Sequence, residues 1–310
     1  MRKPAPLRPG DTIGICSPAS PLPPQELADA VTMIEARGYR VKVSPHALDT
    51  HPDNSYLAGT DGHRAQDLNT LFADTSVRAI FAARGGYGCS RLLPLLDWET
   101  IRANPKLFIG YSDLTSLHCA FARHAGFPTV HGAMLLTLMK SDEFSRELFW
   151  KTLESREPLG VLPASPQTLN TICGGTAEGK LAGGCLTLLG HLCGTPYAPD
   201  FTDKIVLIED VGEAVYRADR LLTQLKLCGL FDNAVGFVIG HITGWKGLEG
   251  DESRNDPETL WRDTFADLGK PTIFGFPFGH EPSPLPLPLG VRAKLDADAK
   301  TLTLLEALCE

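Results

Sequence analysis

The first 155 residues alternate between two hydrophobic periods, and this alternation restricts the fold more than any other feature of the chain. Short apolar runs at 12–16, 40–44, 78–83, 107–111 and 128–131 read as strands. Segments 25–37, 64–74, 114–124 and 143–153 carry apolar residues at helical spacing, as in Leu27, Val31 and Ile34, with Gly38 as a stop. Repeated strand–helix units predict a mostly parallel, right-handed wound sheet with helices on both faces. Ligands of such sheets bind beyond the carboxyl ends of the strands.

The second half breaks this rhythm. Residues 156–170 set prolines and a glycine among polar residues and read as a linker. Beyond them, β-type runs (204–209, 234–243, 272–276, 291–304) mix with helices (186–192, 215–230, 257–268). This predicts a smaller mixed α+β domain over 171–310, with a Gly-, Asp- and Glu-rich loop at 244–256. A chain of 310 residues suits two such domains.

Charge and cysteine usage exclude several classes. The net charge is −8 and no cluster of five Lys or Arg occurs, which argues against a nucleic-acid partner. The apolar run 12–16 is too short for a secretory signal, and no run reaches the length of a membrane span. The eight cysteines form no C-x-x-C pair and read as reduced, buried thiols of a cytoplasmic protein, not a zinc or disulfide framework.

Within this frame Ser112 stands out. A strand runs into Gly110, Tyr111 and Ser112, and a helix begins at once. A sharp strand-to-helix turn exposes a serine hydroxyl and aims free helix N–H groups at any anion forming beside it. Only half of the G-x-S-x-G elbow is present, since position 114 is Leu. A serine nucleophile also needs a base and an orienting group. His118, His124, His131, His191 and His241 lie in or at the ends of regular elements and read as structural histidines. His280 follows a strand and opens a proline-stiffened loop, where reactive side chains are often held. Glu209, Asp210 and Glu213 compete as the orienting carboxylate; Glu209 ends an apolar strand, whereas Glu213 reads equally as an acid at a helix start.

Three other motifs have plain alternatives. Residues 174–181 approach a phosphate-binding loop but end in Leu where Ser or Thr would hold Mg²⁺, so a glycine turn between strands is expected. The glycines of Arg84-Gly85-Gly86-Tyr87-Gly88 suit either a ligand-hugging backbone or a surface turn. Cys185 starts an apolar helix and reads as a buried thiol.

Six segments in this order resemble the LD-carboxypeptidase (muramoyltetrapeptide carboxypeptidase) family. They are Ile13-Gly14-Ile15-Cys16-Ser17-Pro18-Ala19, Arg84-Gly85-Gly86-Tyr87-Gly88, Gly110-Tyr111-Ser112-Asp113, His131-Gly132-Ala133-Met134, Glu209-Asp210-Val211-Gly212-Glu213 with Tyr216-Arg217-x-x-Arg220, and Phe278-Gly279-His280-Glu281. The resemblance implies an N-terminal three-layer α/β domain like that of class I glutamine amidotransferases, carrying the nucleophile, and a C-terminal domain carrying Glu and His. It implies a Ser112–Glu209–His280 triad, with the backbone N–H groups of Asp113 and Gly86 as the oxyanion hole. It further implies a homodimer acting on a small muropeptide without metal or cofactor. The reaction would release D-alanine by cutting an L,D bond. Arg84 is a candidate for the terminal carboxylate, because guanidinium binds carboxylate bidentately; a structural Arg pairing at the sheet end is the alternative. A related activity, cleavage of aminoacyl-nucleotide amides by microcin C immunity-type peptidases, would want an aromatic platform, for which Trp245 is available.

Overall fold

The computed structural model describes residues 2–245 and 256–310. Two sheets organise it. The strands of the first half are β1 (Thr12–Cys16), β2 (Arg40–Val43), β3 (Val77–Ala82), β4 (Leu107–Gly110) and β5 (Thr129–His131), all parallel. Those of the second half are β6 (Gly160–Val161), β7 (Asn170–Cys173), β8 (Thr176–Cys185), β9 (Lys204–Val211), β10 (Gly236–Thr243), β11 (Thr272–Phe274), β12 (Leu287–Leu289), β13 (Arg292–Asp296) and β14 (Thr301–Leu304). The helices are α1 (Pro24–Ala36), α2 (Asp61–Ala73), α3 (Trp98–Ala103), α4 (Thr115–His124), α5 (Leu135–Lys140), α6 (Glu143–Glu154), α7 (Leu186–His191), α8 (Val215–Leu227) and α9 (Pro257–Phe265).

The first sheet runs β12-β5-β4-β3-β1-β2 and the second β6-β14-β13-β8-β9-β10-β11-β7. β8 to β11 are parallel, and antiparallel strands flank them on both sides. The mixed α/β architecture expected from the sequence is therefore present, with three local differences. Residues 160–161, inside the expected linker, form β6 and pair with β14. The proline-rich run after His280 is not all loop: β12 crosses back and pairs antiparallel with β5. Pro288 is accommodated there because an edge strand does not need every N–H. The run 291–304 is two strands joined by a turn. Most of the expected 244–256 loop lies outside the described residues.

The halves share a core. One apolar cluster runs from Phe72, Phe108 and Phe121 beneath the first sheet to Leu186, Leu222 and Phe237 beneath the second. Gly184 permits the close approach: a Cβ there would sit 2.5 Å from Thr115 Oγ1, and the neighbouring Cys185 N–H donates to that hydroxyl at 3.1 Å. Side chains at the carboxyl ends of β4 and β9 are thus held by one continuous packed interior, which restricts relative motion between them. No helix among the described residues is long and apolar enough to cross a membrane.

Candidate active site

Ser112 is separated from β4 by Tyr111 alone and adopts φ +64°, a left-handed conformation that a non-glycine residue seldom takes. A 3-10 turn, Ser112–Leu114, then leads into α4. Two glycines make room for this elbow. A Cβ on Gly110 would meet Leu114 Cγ at 2.7 Å, and one on Gly85 would lie 2.9 Å from Ser112 Cβ. The Arg84–Gly88 backbone therefore packs on the serine itself. Gly86 has φ +124°, and a side chain there would collide with Ser20. Among the described residues, neither the Gly86 nor the Asp113 backbone N–H has an acceptor. The Asp113 side chain turns inward and accepts the Cys89 N–H at 2.7 Å. Burial raises its pKa, and that N–H bond acts against the rise.

Glu209, near the end of β9, is completely buried. One of its oxygens accepts two bonds from His280, from ring Nδ1 at 2.6 Å and from the backbone N–H at 3.2 Å. The other lies 3.6 Å from His131 Nε2, just beyond a direct hydrogen bond. Burial alone would raise the Glu209 carboxyl, but the two histidines outweigh it and hold the group below the ordinary glutamate range. An ionised carboxylate on Nδ1 fixes the His280 tautomer: Nδ1 carries the hydrogen and Nε2 keeps its lone pair. Tyr111 packs edge-on against the His280 ring, with centroids 4.9 Å apart. No hydrogen bond joins Ser112 to His280 among the described residues; such bonds commonly tighten only with substrate bound.

The other candidates sort by their contacts. Asp210 accepts the Thr187 N–H and hydroxyl, both at 2.8 Å, and so caps the start of α7. Cys185 is buried and donates to Asp210, as suits an inert thiol. His118 bridges Thr129 and the Gly110 carbonyl, both at 2.8 Å. Burial depresses its pKa to about 3, so it is a neutral strut under the elbow. Gly174 and Gly175 make the turn between β7 and β8. Arg84 is half-buried, reaches Pro21 O at 3.3 Å, and has no carboxylate within 4 Å among the described residues. Trp245 packs partly buried against the large core cluster.

Sequence reasoning missed the place of His131 beside Glu209. Its sequence signals are a histidine ending a short apolar strand and its place in the family segment His131-Gly132-Ala133-Met134. It also missed Gly279, whose φ of +79° and absent side chain admit Glu209: a Cβ there would sit 2.2 Å from Oε2. Among the described residues one group of side chains has metal-ligand spacing, His46, Asp49 and His63, on a different loop.

Known proteins resemble this chain in sequence and fold. The description "LD-carboxypeptidase N-terminal domain" matches residues 13–132, and "LD-carboxypeptidase C-terminal domain" matches residues 178–295. A Bacillus subtilis protein named "Probable murein peptide carboxypeptidase" is 36% identical over 281 residues, covering 90% of this chain and 86% of its own length. The crystal structure of a muramoyltetrapeptide carboxypeptidase from Oxalobacter formigenes superposes with a TM-score of 0.80 at 30% identity, covering 94% of this chain and 97% of that one. The Escherichia coli microcin C7 self-immunity protein is 30% identical over 268 residues, covering 76% of this chain and 77% of its own length. A structure of that immunity protein with aspartyl sulfamoyl adenosine superposes with a TM-score of 0.87 at 26% identity, covering both chains completely. With both of its domains matched and the relatives spanning most of its length, this chain belongs to the LD-carboxypeptidase family of serine-type hydrolases.

Proposed function

We propose that this protein is a serine carboxypeptidase that removes the terminal D-alanine from murein tetrapeptides by cleaving the L,D bond, as a step of peptidoglycan recycling. The observation that carries this reading is the buried Glu209–His280 bond of 2.6 Å, packed on Tyr111, whose neighbour Ser112 is held at φ +64°. In this mechanism His280 Nε2 takes the Ser112 proton, and Ser112 Oγ attacks the carbonyl preceding D-alanine. Glu209 keeps the ring in its working tautomer and stabilises the imidazolium that forms. The N–H groups of Gly86 and Asp113 receive the oxyanion; losing one such donor typically costs about 100-fold or more in rate. His280 then protonates the leaving amine, and water, activated by the same ring, releases the tripeptide. The Arg84 guanidinium, which has no carboxylate within 4 Å among the described residues, supports a role in binding the free carboxylate that defines a carboxypeptidase substrate. A cytoplasmic homodimer belongs to the same proposal.

The likeness to the immunity protein supports a second substrate class, an aminoacyl-nucleotide amide, for the same machinery. Its expected aromatic platform, Trp245, is engaged with the core, which weakens that reading. Mass-spectrometric assay of a disaccharide-tetrapeptide and an aminoacyl sulfamoyl adenosine, side by side, separates the two. Release of D-alanine with no cleavage of the nucleotide supports the first reading; the reverse replaces it with the second.

A further inference from the structure

The loop after β2 brings three side chains to one point. His46 and Asp49 stand one turn apart, and His63 projects from the first turn of α2. The two imidazole rings stack with centroids 3.9 Å apart and planes inclined by 16°. Both Nδ1 atoms converge on the same oxygen, Asp49 Oδ2, at 2.9 Å from His46 and 3.4 Å from His63. All three ligand atoms lie within 4.8 Å of one another. Tetrahedral coordination with bonds of about 2.0–2.1 Å places donor atoms roughly 3.3 Å apart, so the separations present need little adjustment.

The backbone holds these groups in place. The Asp49 N–H bonds to His46 O at 3.1 Å, and the His46 N–H donates to the buried Asp67 carboxylate at 3.2 Å. Gly59, at φ +83°, packs against Asp49 Cβ. The His63 N–H is fixed by the Thr60 hydroxyl that caps α2. From this geometry we infer that His46, Asp49 and His63 bind one borderline divalent cation, of the zinc, cobalt or nickel type, with water completing the sphere. Two imidazoles and one carboxylate select such ions over calcium or magnesium, which prefer all-oxygen sites.

Its role would be to brace, not to react. The same loop is tied to the segment after β1, through Ser17 Oγ to Ala47 O at 2.6 Å and Ser20 Oγ to Tyr56 O at 2.8 Å. Ser20 in turn fills the space beside Gly86. A metal on the loop would stiffen the wall behind the Gly86 N–H.

Titration of tag-free protein with Co²⁺ tests the inference. One equivalent should bind with visible d–d bands and without a thiolate charge-transfer band, and Zn²⁺ should displace it. His63→Ala and Asp49→Asn should each weaken binding by more than the about 10–100-fold typical of losing only a supporting group. Zn²⁺ should raise the Tm of the native chain and not that of folded Asp49→Asn. Absence of saturable binding, a thiolate band, or unchanged affinity in both variants would overturn the assignment.

Discussion

Two carboxylates in this molecule each face two histidines, Glu209 with His131 and His280, and Asp49 with His46 and His63. Glu209 is fully buried, whereas the Asp49 side chain is 40% exposed. Water screens the second cluster, so it can exchange partners and admit an ion at little cost. The first cannot exchange anything. Its charge is paid for by fixed partners, and the reward is a single ring orientation and tautomer. Similar residues make an adaptable ligand set at the surface and a rigid positioning device in the interior.

The sharpest way to break this comparison is to neutralise each carboxylate without changing its shape. Glu209→Gln should lower kcat by roughly 10³–10⁴-fold, because the His280 tautomer is no longer enforced, while Asp49→Asn should stay within about tenfold of native. Steady-state kinetics of D-alanine release read both. Equal losses would erase the distinction.

A glycine beside each carboxylate gives the next largest effect. Gly279→Ala forces a Cβ to within 2.2 Å of Glu209 Oε2 at φ +79°. It should cost about 3 kcal/mol or more in denaturant unfolding and lower activity as well. Gly59→Ala meets Asp49 at 3.1 Å and should cost about 1–2 kcal/mol, the left-handed backbone being the main term. A buried, crowded site resists what an open one absorbs.

How far these features are legible in the sequence differs between the halves. The βα rhythm is readable because β1, β3 and β4 are apolar except at Thr12 and Arg78 and the helices α1 and α4 have clear stripes. β8 is not readable: Thr176–Cys185 contains three glycines, and its strand character comes from pairing with β9 and β13 on either side. Ser112, Glu209 and His280 are recognisable through family resemblance; Ser112 lies just past β4, Glu209 within the last three residues of β9, and His280 in the loop after β11. Their spatial relation, and the part of His131, depend on β4 and β9 meeting across a shared core, which no local window encodes. The Gly279 requirement is likewise set by a side chain 70 residues away in sequence.

The last expected effect concerns the other buried histidine. His118 has its pKa depressed to about 3 by burial, from an ordinary 6.5. Between those values the unfolded chain binds a proton that the folded chain refuses, so stability falls as pH drops through this window. His118→Gln should flatten that dependence by close to one proton, about 1.4 kcal/mol per pH unit. Urea unfolding at pH 4.5, 5.5 and 6.5 measures it, and an unchanged slope would contradict a neutral strut.

The central claim is that Ser112 forms the acyl-enzyme. Rapid quench of the native protein with saturating tetrapeptide, followed by intact-mass and peptide mapping, tests it directly. The expected result is an adduct of the tripeptide acyl group on Ser112, and neither adduct nor D-alanine release in Ser112→Ala. Release of D-alanine by Ser112→Ala at the native rate would contradict it.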